Sequence, residues 1–489
     1  VLDPRTPILV GGGQLNQREN PVEPADMIVR AARLAAEDAD APAILEAADS
    51  VRIVGMLSWR YRDPGLLIAE RLGAPVRHTV YTGSGGSHPQ ALVNDAAEDI
   101  AQGRCDVVIV GGAEAWRTRM ALKKVGERPD WTQQGDNLAP TETRPEVAMR
   151  DETEVRAGLD RPAFIYPLFE QALRIRAGRT IKEHRTEIAR LWSRFSEVAE
   201  GNPAAWSRIR LSPETIETPT PGNRIISWPY TKLMNSNNSV EQAAAVIVCS
   251  VEAARRHGVP EDRWVFLRSG SEAADTAQIA ARRRLDGSPA IRHAAATAFE
   301  LAGLTLDDVE PVDLYSCFPS AVQVAAREIG LPIADPTRSL TVTGGLTFAG
   351  GPWNNYSTHA IATMIGEVRR TQRAGLLTAN SGYLTKHSIG IYSPVPGNGF
   401  QRRSAQPLVD SERTVRVVGA YDGTATLESW TVVHDRAGRP ETAMAALRTK
   451  DGSRTLARSS AEDIVNRLVT DEAEGAAASV TRDGEFRLN

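Results

Sequence analysis

Cysteine is scarce in this chain, with only Cys105, Cys249 and Cys317 in 489 residues. They form no C-x-x-C pair, which excludes a disulfide framework and a thiolate zinc site. Long apolar runs are missing as well. No stretch approaches the roughly 18 residues that a membrane-spanning helix needs, and the opening residues lack the basic and apolar regions of a secretory leader. Charge of one sign is not in excess either. A net charge of -4 leaves no electrostatic footprint for nucleic acid or an anionic membrane. These absences point to a cytoplasmic setting.

What is there is the composition of an ordinary globular protein, 42% hydrophobic and 24% charged. The length exceeds what one simple core serves, so two or three domains are expected. From Tyr81 to Ala115 the chain reads YTGSGGSHPQALVNDAAEDIAQGRCDVVIVGGAEA. That is a Gly-rich turn, an amphipathic helix and a buried strand. Such a turn offers backbone N–H groups and the positive end of a helix to an anion. It contains Gly83, Ser84, Gly85, Gly86 and Ser87, and no cysteine. Ser87 beside His88 admits a hydrolase pair; a polar turn with Ser87 as helix N-cap accounts for the same residues.

The layout repeats. TPILVGGGQL, an Ala-rich helix, DSVRIVGM, a second helix, GSGGSHPQALVNDAAEDI and CDVVIVGG follow one another in the first half. In the second half come WVFLRSGSEA, SPAIRHAAATAFELAG, PVDLYSCF, PSAVQVAAREIG, TFAGGPWNNYSTHAIATMIGEV and AGLLTANSG, in the same order. Short β-branched runs alternating with helical periodicity predict two α/β halves built alike. The expected halves are residues 1–118 with 221–260, and residues 261–405. Residues 119–220 read as an inserted lid, and the stretch NRIISWPYTKLMNSNNSVEQAAAVIVCS is expected to return to the first half. Residues 406–489 alternate strand-like runs with D-G and A-G turns, predicting a separable small β-barrel of the OB kind with a loose tail after Ala477.

Several motifs together resemble the thiolase superfamily, in particular its sterol-carrier-type, thiolase-like type 1 members. VDLYSCFPSAV resembles the H-D-C-F segment, GGLTFAGGPWNN the segment bearing G-H-P, AGLLTANSGY the strand ending in C-x-G or H-N-x-G, and EQAAAVIVCS the G-A-A-A strand. The resemblance covers residues 5 to 400. It implies a layered αβαβα thiolase fold of two mixed five-stranded sheets, with the helices after Gly85 and Gly351 at the centre. By the same resemblance the acyl-accepting cysteine falls on Gly85, the G-H-P histidine on Gly351 and the H-D-C-F histidine on Tyr315. The last motif's cysteine or histidine falls on Ala379 or Asn380.

Thioester exchange between CoA thiols needs a covalent acyl-enzyme. Losing its nucleophile removes orders of magnitude of rate, so ordinary thiolase activity is expected to be weak or absent. The resemblance implies CoA or acyl-CoA as substrate or ligand, bordered by Gly85, Gly86, Gly350, Gly351 and Asn380, with no tightly bound cofactor and no metal. Three readings follow: an acyl-CoA-handling acetyl-CoA acetyltransferase homologue, a non-catalytic CoA binder, and a lyase. Some relatives cleave β-hydroxyacyl-CoA by retro-aldol chemistry with pocket tyrosines and an OB-fold subunit. In that reading Tyr315 carries the proton, its phenol pKa lowered by neighbouring donors, with Tyr383 or His387 as partner. Tyr315 filling the space of a histidine, and His387 satisfying a strand edge, are the plain alternatives. Cys105 and Cys249 read as core residues, and Cys317 as packing. The resemblance also implies a dimer paired through the strand after the first Gly-rich helix, or a monomer of the type 1 kind.

Overall fold

The computed structural model describes residues 2–144 and 151–489. The first half contributes β1 (Pro7–Asn16), β2 (Ser50–Ile53), β3 (His78–Thr82), β4 (Val107–Ala115) and β5 (Glu142–Arg144). After the insertion come β6 (Ile225–Ser227), β7 (Tyr230–Thr231) and β8 (Glu241–Ser250). The second half adds β9 (Val265–Ala274), β10 (Val309–Asp313), β11 (Ala374–Ser381), β12 (Lys386–Ser393) and β13 (Gln401–Ser404). The main sheet runs β10-β11-β12-β9-β1-β8-β4-β2-β3-β5, with β13 added to β9. Its halves meet where β1 and β9 pair antiparallel, through Ile8 with Phe266 and Leu9 with Val265.

One strand order appears twice, as β3-β2-β4-β8-β1 and as β10-β11-β12-β9. Five strands were expected in each half. Among the described residues the second half has four in the repeated order. Residues 340–344, next in the repeat, fold instead around a buried carboxylate: Thr341 Oγ1 and Val342 N donate to Asp313 Oδ2 at 2.9 and 3.0 Å. A segment bent around that acceptor leaves no straight run of backbone for a ladder.

Period-2 alternation makes the layers. Leu9 of β1, Val108 and Val110 of β4, and Val246 and Val248 of β8 face a central cluster, while Ile8, Val10, Ile109 and Ile247 face an outer one. The helix His88–Ala101 gives Leu92, Val93 and Ala96 to the central cluster, and Tyr356–Thr371 gives Ala360, Ile361 and Met364. Each such Leu, Val, Ile or Met side chain stabilises the fold by about 1.5–3 kcal/mol. The two helices that follow the Gly-rich turns therefore form the middle layer, as expected. Outside, Pro24–Asp38 covers the first half and Pro289–Ala302 the second.

Strand β4 cannot pair with a second copy. It is hydrogen-bonded to β2 on one edge and to β8 on the other, so no row of free N–H and C=O groups remains. The open edge of the first half is that of β3, and there β5 pairs in parallel, Val80 with Glu142 through Thr82 with Arg144.

The C-terminal strands β14 (Gly423–His434), β15 (Pro440–Thr449), β16 (Arg454–Ser459), β17 (Ala477–Val480) and β18 (Phe486–Leu488) form a separate antiparallel sheet ordered β16-β15-β14-β17-β18. A bridge from Arg458 to Glu485 links its two ends. Two expectations change here. Residues 225–231 do not rejoin the first half, because β17 covers only Gly423–Thr426 of β14 and Ser227 pairs with Val433 beyond it. Trp228 then buries itself in the C-terminal core beside Val432 and Ala443. The tail after Ala477 is not loose, since Ala478, Val480 and Phe486 are buried. The expected separability is opposed by contacts with the body: Arg454 Nη1 donates to Ala280 O at 2.7 Å, and Arg174 of the insertion pairs with Glu472 and Glu474.

Candidate functional site

The first Gly-rich turn lies where β3 ends and the helix His88–Ala101 begins. Facing it from the second half are the end of β11 and the segment 350–357. Their contacts close the turn. Gly85 N donates to Asn354 Oδ1 at 2.9 Å, and Asn354 Nδ2 donates to Gly55 O at 2.7 Å. Ser87 N donates to Ser381 Oγ at 2.8 Å, and the two hydroxyls share a 2.6 Å hydrogen bond. His88 N donates to Gly85 O at 3.2 Å. The expectation of a turn open to an anion is thereby corrected: side chains from the second half hold two of its amides. Ser87 occupies the N-cap position without capping the helix, because its hydroxyl reaches across to Ser381 instead.

Space at the turn is equally restricted. A Cβ on Gly85 would stand 2.7 Å from Ser381 Oγ and 2.9 Å from His88 Cδ2. A Cβ on Gly86 would collide with the Tyr315 hydroxyl and lie 2.7 Å from Asn380 O. On its outer side the turn opens differently: Gly83 and Ser84 line a cavity of about 280 Å³ with Gly55, Met56, Arg60 and Tyr81.

The predicted site residues gather unevenly. Tyr315 comes against Gly86, its ring edge-on to Tyr356 with centroids 5.3 Å apart. Its backbone N–H donates to Thr378 Oγ1, and no hydrogen bond engages its hydroxyl among the described residues. Burial pushes its phenol pKa up, with Cys317 adding to the effect. That reverses the expected lowering, since no donor stands where it would stabilise a phenolate. Asn380 donates to Tyr166 Oη at 2.9 Å, while its buried Oδ1 has no partner. Tyr166, stacked on Phe318, also receives the Leu384 amide at 3.0 Å.

His387 lies opposite Asn380 in the β11–β12 ladder. It is buried with Nε2 unpartnered, and burial lowers its pKa to about 3. Tyr383 does not join Tyr315: its hydroxyl donates to Asp160 O of the insertion at 3.2 Å. His88 is held neutral, its pKa lowered to about 4 by burial and by Arg144 and Lys386. Gly350 packs on Gln242. Gly351 N donates to Asn237 O at 2.9 Å, and Asn238 Nδ2 donates to Gly351 O at 2.8 Å. Both glycines are taken up in backbone packing. The thiols of Cys105 and Cys317 are each raised to about 12, chiefly by burial, and that of Cys249 is raised further by the same cause.

Sequence reasoning missed Asn354, Ser381 and Tyr166. Asn354 belongs to the doublet after G-G-P, and two adjacent amides facing the first half were the available signal. Among the described residues no group of three or more His, Cys, Asp or Glu side chains is placed to hold a metal, and no helix is long and apolar enough to cross a membrane.

Comparison with known proteins bears on this geometry. The family described as thiolase-like protein type 1 additional C-terminal domain matches residues 405–485. A monomeric SCP2-thiolase-like protein type 1 from Mycobacterium smegmatis is 34% identical, with a TM-score of 0.87 over 100% of both chains. An acetyl-CoA acetyltransferase of Methanocaldococcus jannaschii is 25% identical over 266 residues, 54% of this chain and 60% of that protein's length. The structure titled Ltp2-ChsH2(DUF35) aldolase shares the fold at 18% identity, with a TM-score of 0.60 over 81% of this chain and 99% of the other.

Proposed function

The chain belongs to the SCP2-thiolase-like protein type 1 family, and from that we propose that it handles CoA or acyl-CoA on a thiolase fold without thiolase chemistry. One observation carries this reading: the turn that would hold the nucleophile has Gly85 in that place, with its amide bonded to Asn354 Oδ1. Thioester exchange needs a nucleophile and free donors for the oxyanion. Here the first is replaced by hydrogen, and two donors are engaged by side chains. The acetyl-CoA acetyltransferase relative supports a CoA-type ligand. The monomeric relative and the covered edge of β3 support a monomer, and we place it in the cytoplasm. We read the C-terminal β domain as OB-like, on the bridge between its end strands, beginning near residue 406. Intact-mass spectrometry after incubation with acetyl-CoA, alongside an acetoacetyl-CoA thiolysis assay, tests the proposal. The expected result is no added acetyl group and no thiolysis above background. A stable acetyl adduct on Ser84, Ser87, Ser381 or Cys317 would overturn it.

A second reading, retro-aldol cleavage of a β-hydroxyacyl-CoA, is favoured by the Tyr315 hydroxyl standing unengaged against Gly86, and by the aldolase that shares the fold. With its pKa raised, Tyr315 serves that step as a neutral donor to the departing enolate, not as a base. Two neutral imidazoles, His88 at the turn and His387 with its buried Nε2 free, are the candidate proton acceptors. Loss of cleavage in Tyr315→Phe, with CoA binding kept, would support this reading.

A further inference from the structure

A second cavity lies away from the Gly85 turn, none of whose residues lines it. It encloses about 770 Å³ between the β9 exit loop, the helix Pro319–Ile329, the end of the insertion helix Pro162–Arg176 and the segment 409–414. Such a volume suits a nucleotide-sized ligand, and arginine dominates the wall. Arg176, Arg284 and Arg327 converge on the single carboxylate of Asp286, two of them at 3.5 and 2.8 Å. Arg292 is spent on Glu328 and Glu412.

Two further arginines of the lining are not spent, and a third is spent only in part. Arg283 and Arg413 are exposed and make no ion pair or side-chain hydrogen bond among the described residues. Arg282 is only 5% exposed, and its Nη1 has no hydrogen-bond partner. Asp275, a carboxylate of the same lining, is already held by Ser288 Oγ and the Ala290 amide. Against seven arginines stand Asp275, Asp286, Glu328, Asp410 and Glu412, so the cavity carries two uncompensated positive charges.

We infer that this cavity is a binding site for a diphosphate-bearing ligand, separate from the Gly85 turn. A diphosphate supplies clustered anionic oxygens that planar guanidinium groups bind in pairs, and it balances the excess charge where a single carboxylate does not. The site is also coupled to the predicted functional residues. Arg282 Nη2 donates to Thr385 Oγ1 at 3.0 Å, and the same oxygen accepts the Tyr383 amide at 3.2 Å. A ligand that draws Arg282 toward it therefore pulls on the turn between β11 and β12. The inference does not depend on how the Gly85 turn is used.

Titration of the full chain with sodium pyrophosphate by calorimetry tests it. We expect saturable one-to-one binding that weakens with salt. Affinity should fall at least tenfold in Arg283→Gln/Arg413→Gln, whose side chains support no other contact, and should fall again with Arg176→Gln on the opposite wall. Arg436→Gln, exposed elsewhere, makes the same charge change and should leave affinity unaltered. Absence of binding, or equal affinity in the double variant and the Arg436→Gln control, would overturn the site. Competition then identifies the source: displacement by CoA but not by pantetheine assigns the diphosphate to CoA, and simultaneous binding assigns it to a separate nucleotide. Either result upholds the site.

Discussion

Asn354 Oδ1 accepts the backbone N–H of Gly85 across 269 residues of chain. One buried amide thus ties the first Gly-rich turn to the second, and its Nδ2 holds Gly55 O as well. Replacing it by alanine leaves a buried donor and a buried acceptor unmade, each costing about 1–3 kcal/mol. Asn354→Ala should therefore lower the stability of the chain by about 2–6 kcal/mol in urea unfolding. An unchanged midpoint would mean the turn is held by other contacts.

Restoring a cysteine should not restore the chemistry. In Gly85→Cys the new Cβ meets Ser381 Oγ and the His88 ring, and Gly351, where the family resemblance puts the activating histidine, supplies no base. We expect no acetyl adduct by mass and no thiolysis from that variant. Rapid acetylation of the new cysteine would show that the turn relaxes more readily than its contacts imply.

Gly86→Ala is expected to be costly for a different reason. Its methyl group meets the Tyr315 hydroxyl and the backbone carbonyl of Asn380, and a carbonyl in a buried strand cannot swing aside. Overpacking of this kind costs about 1–3 kcal/mol. Adding Tyr315→Phe removes the nearest obstacle, the hydroxyl, while the ring Cζ at 2.9 Å and the carbonyl stay, so the double variant should recover part of the loss. A double-mutant cycle in chemical denaturation reads that coupling directly; additive effects would refute the contact.

His387 sets a pH dependence whose sign is fixed. Its folded pKa of about 3 lies below the ordinary value near 6.5, so between those limits the unfolded chain holds the proton and the folded chain does not. Its contribution to stability is complete above about pH 6.5 and is lost as pH falls toward 3, by up to about 1.4 kcal/mol per pH unit. Unfolding of the wild type and of His387→Gln at pH 7 and pH 5 isolates the term. The wild type should lose more on acidification, and parallel losses would exclude the histidine.

Truncation after residue 405 is expected to give an aggregating product. The cut strips the cover from Trp228 and Ile175, which pack in the C-terminal core, and leaves Arg174, a buried arginine, without Glu472 and Glu474. Size-exclusion chromatography of the truncated chain checks this; a monodisperse, folded fragment would show that the C-terminal sheet contributes little to the body.

Much of the fold was legible because its signals are local. Val108, Val110, Val246 and Val248 alternate by twos, and the Ala-rich helices repeat at matching places, so each half announces itself within short windows. The site was less legible because its defining contacts are not local. Ser381 and Asn354 look like ordinary turn residues until a partner nearly 300 positions away is known. Tyr315 was found by position, yet the direction of its pKa shift depended on which donors were absent, and no pattern records that. Strand β6 failed for a simpler reason: three residues carry too little periodicity to be seen, and its pairing with β14 follows from the length of β17.

That pairing bears on how the chain is made. Ser227 and Trp228 leave the ribosome roughly 200 residues before their partners Val433 and Val432 exist. The indole and the strand edge it belongs to must wait exposed through the synthesis of the whole second half. Non-local pairings of this span slow folding and lengthen the life of sticky intermediates. Expression yield should therefore respond to chaperone supply during elongation.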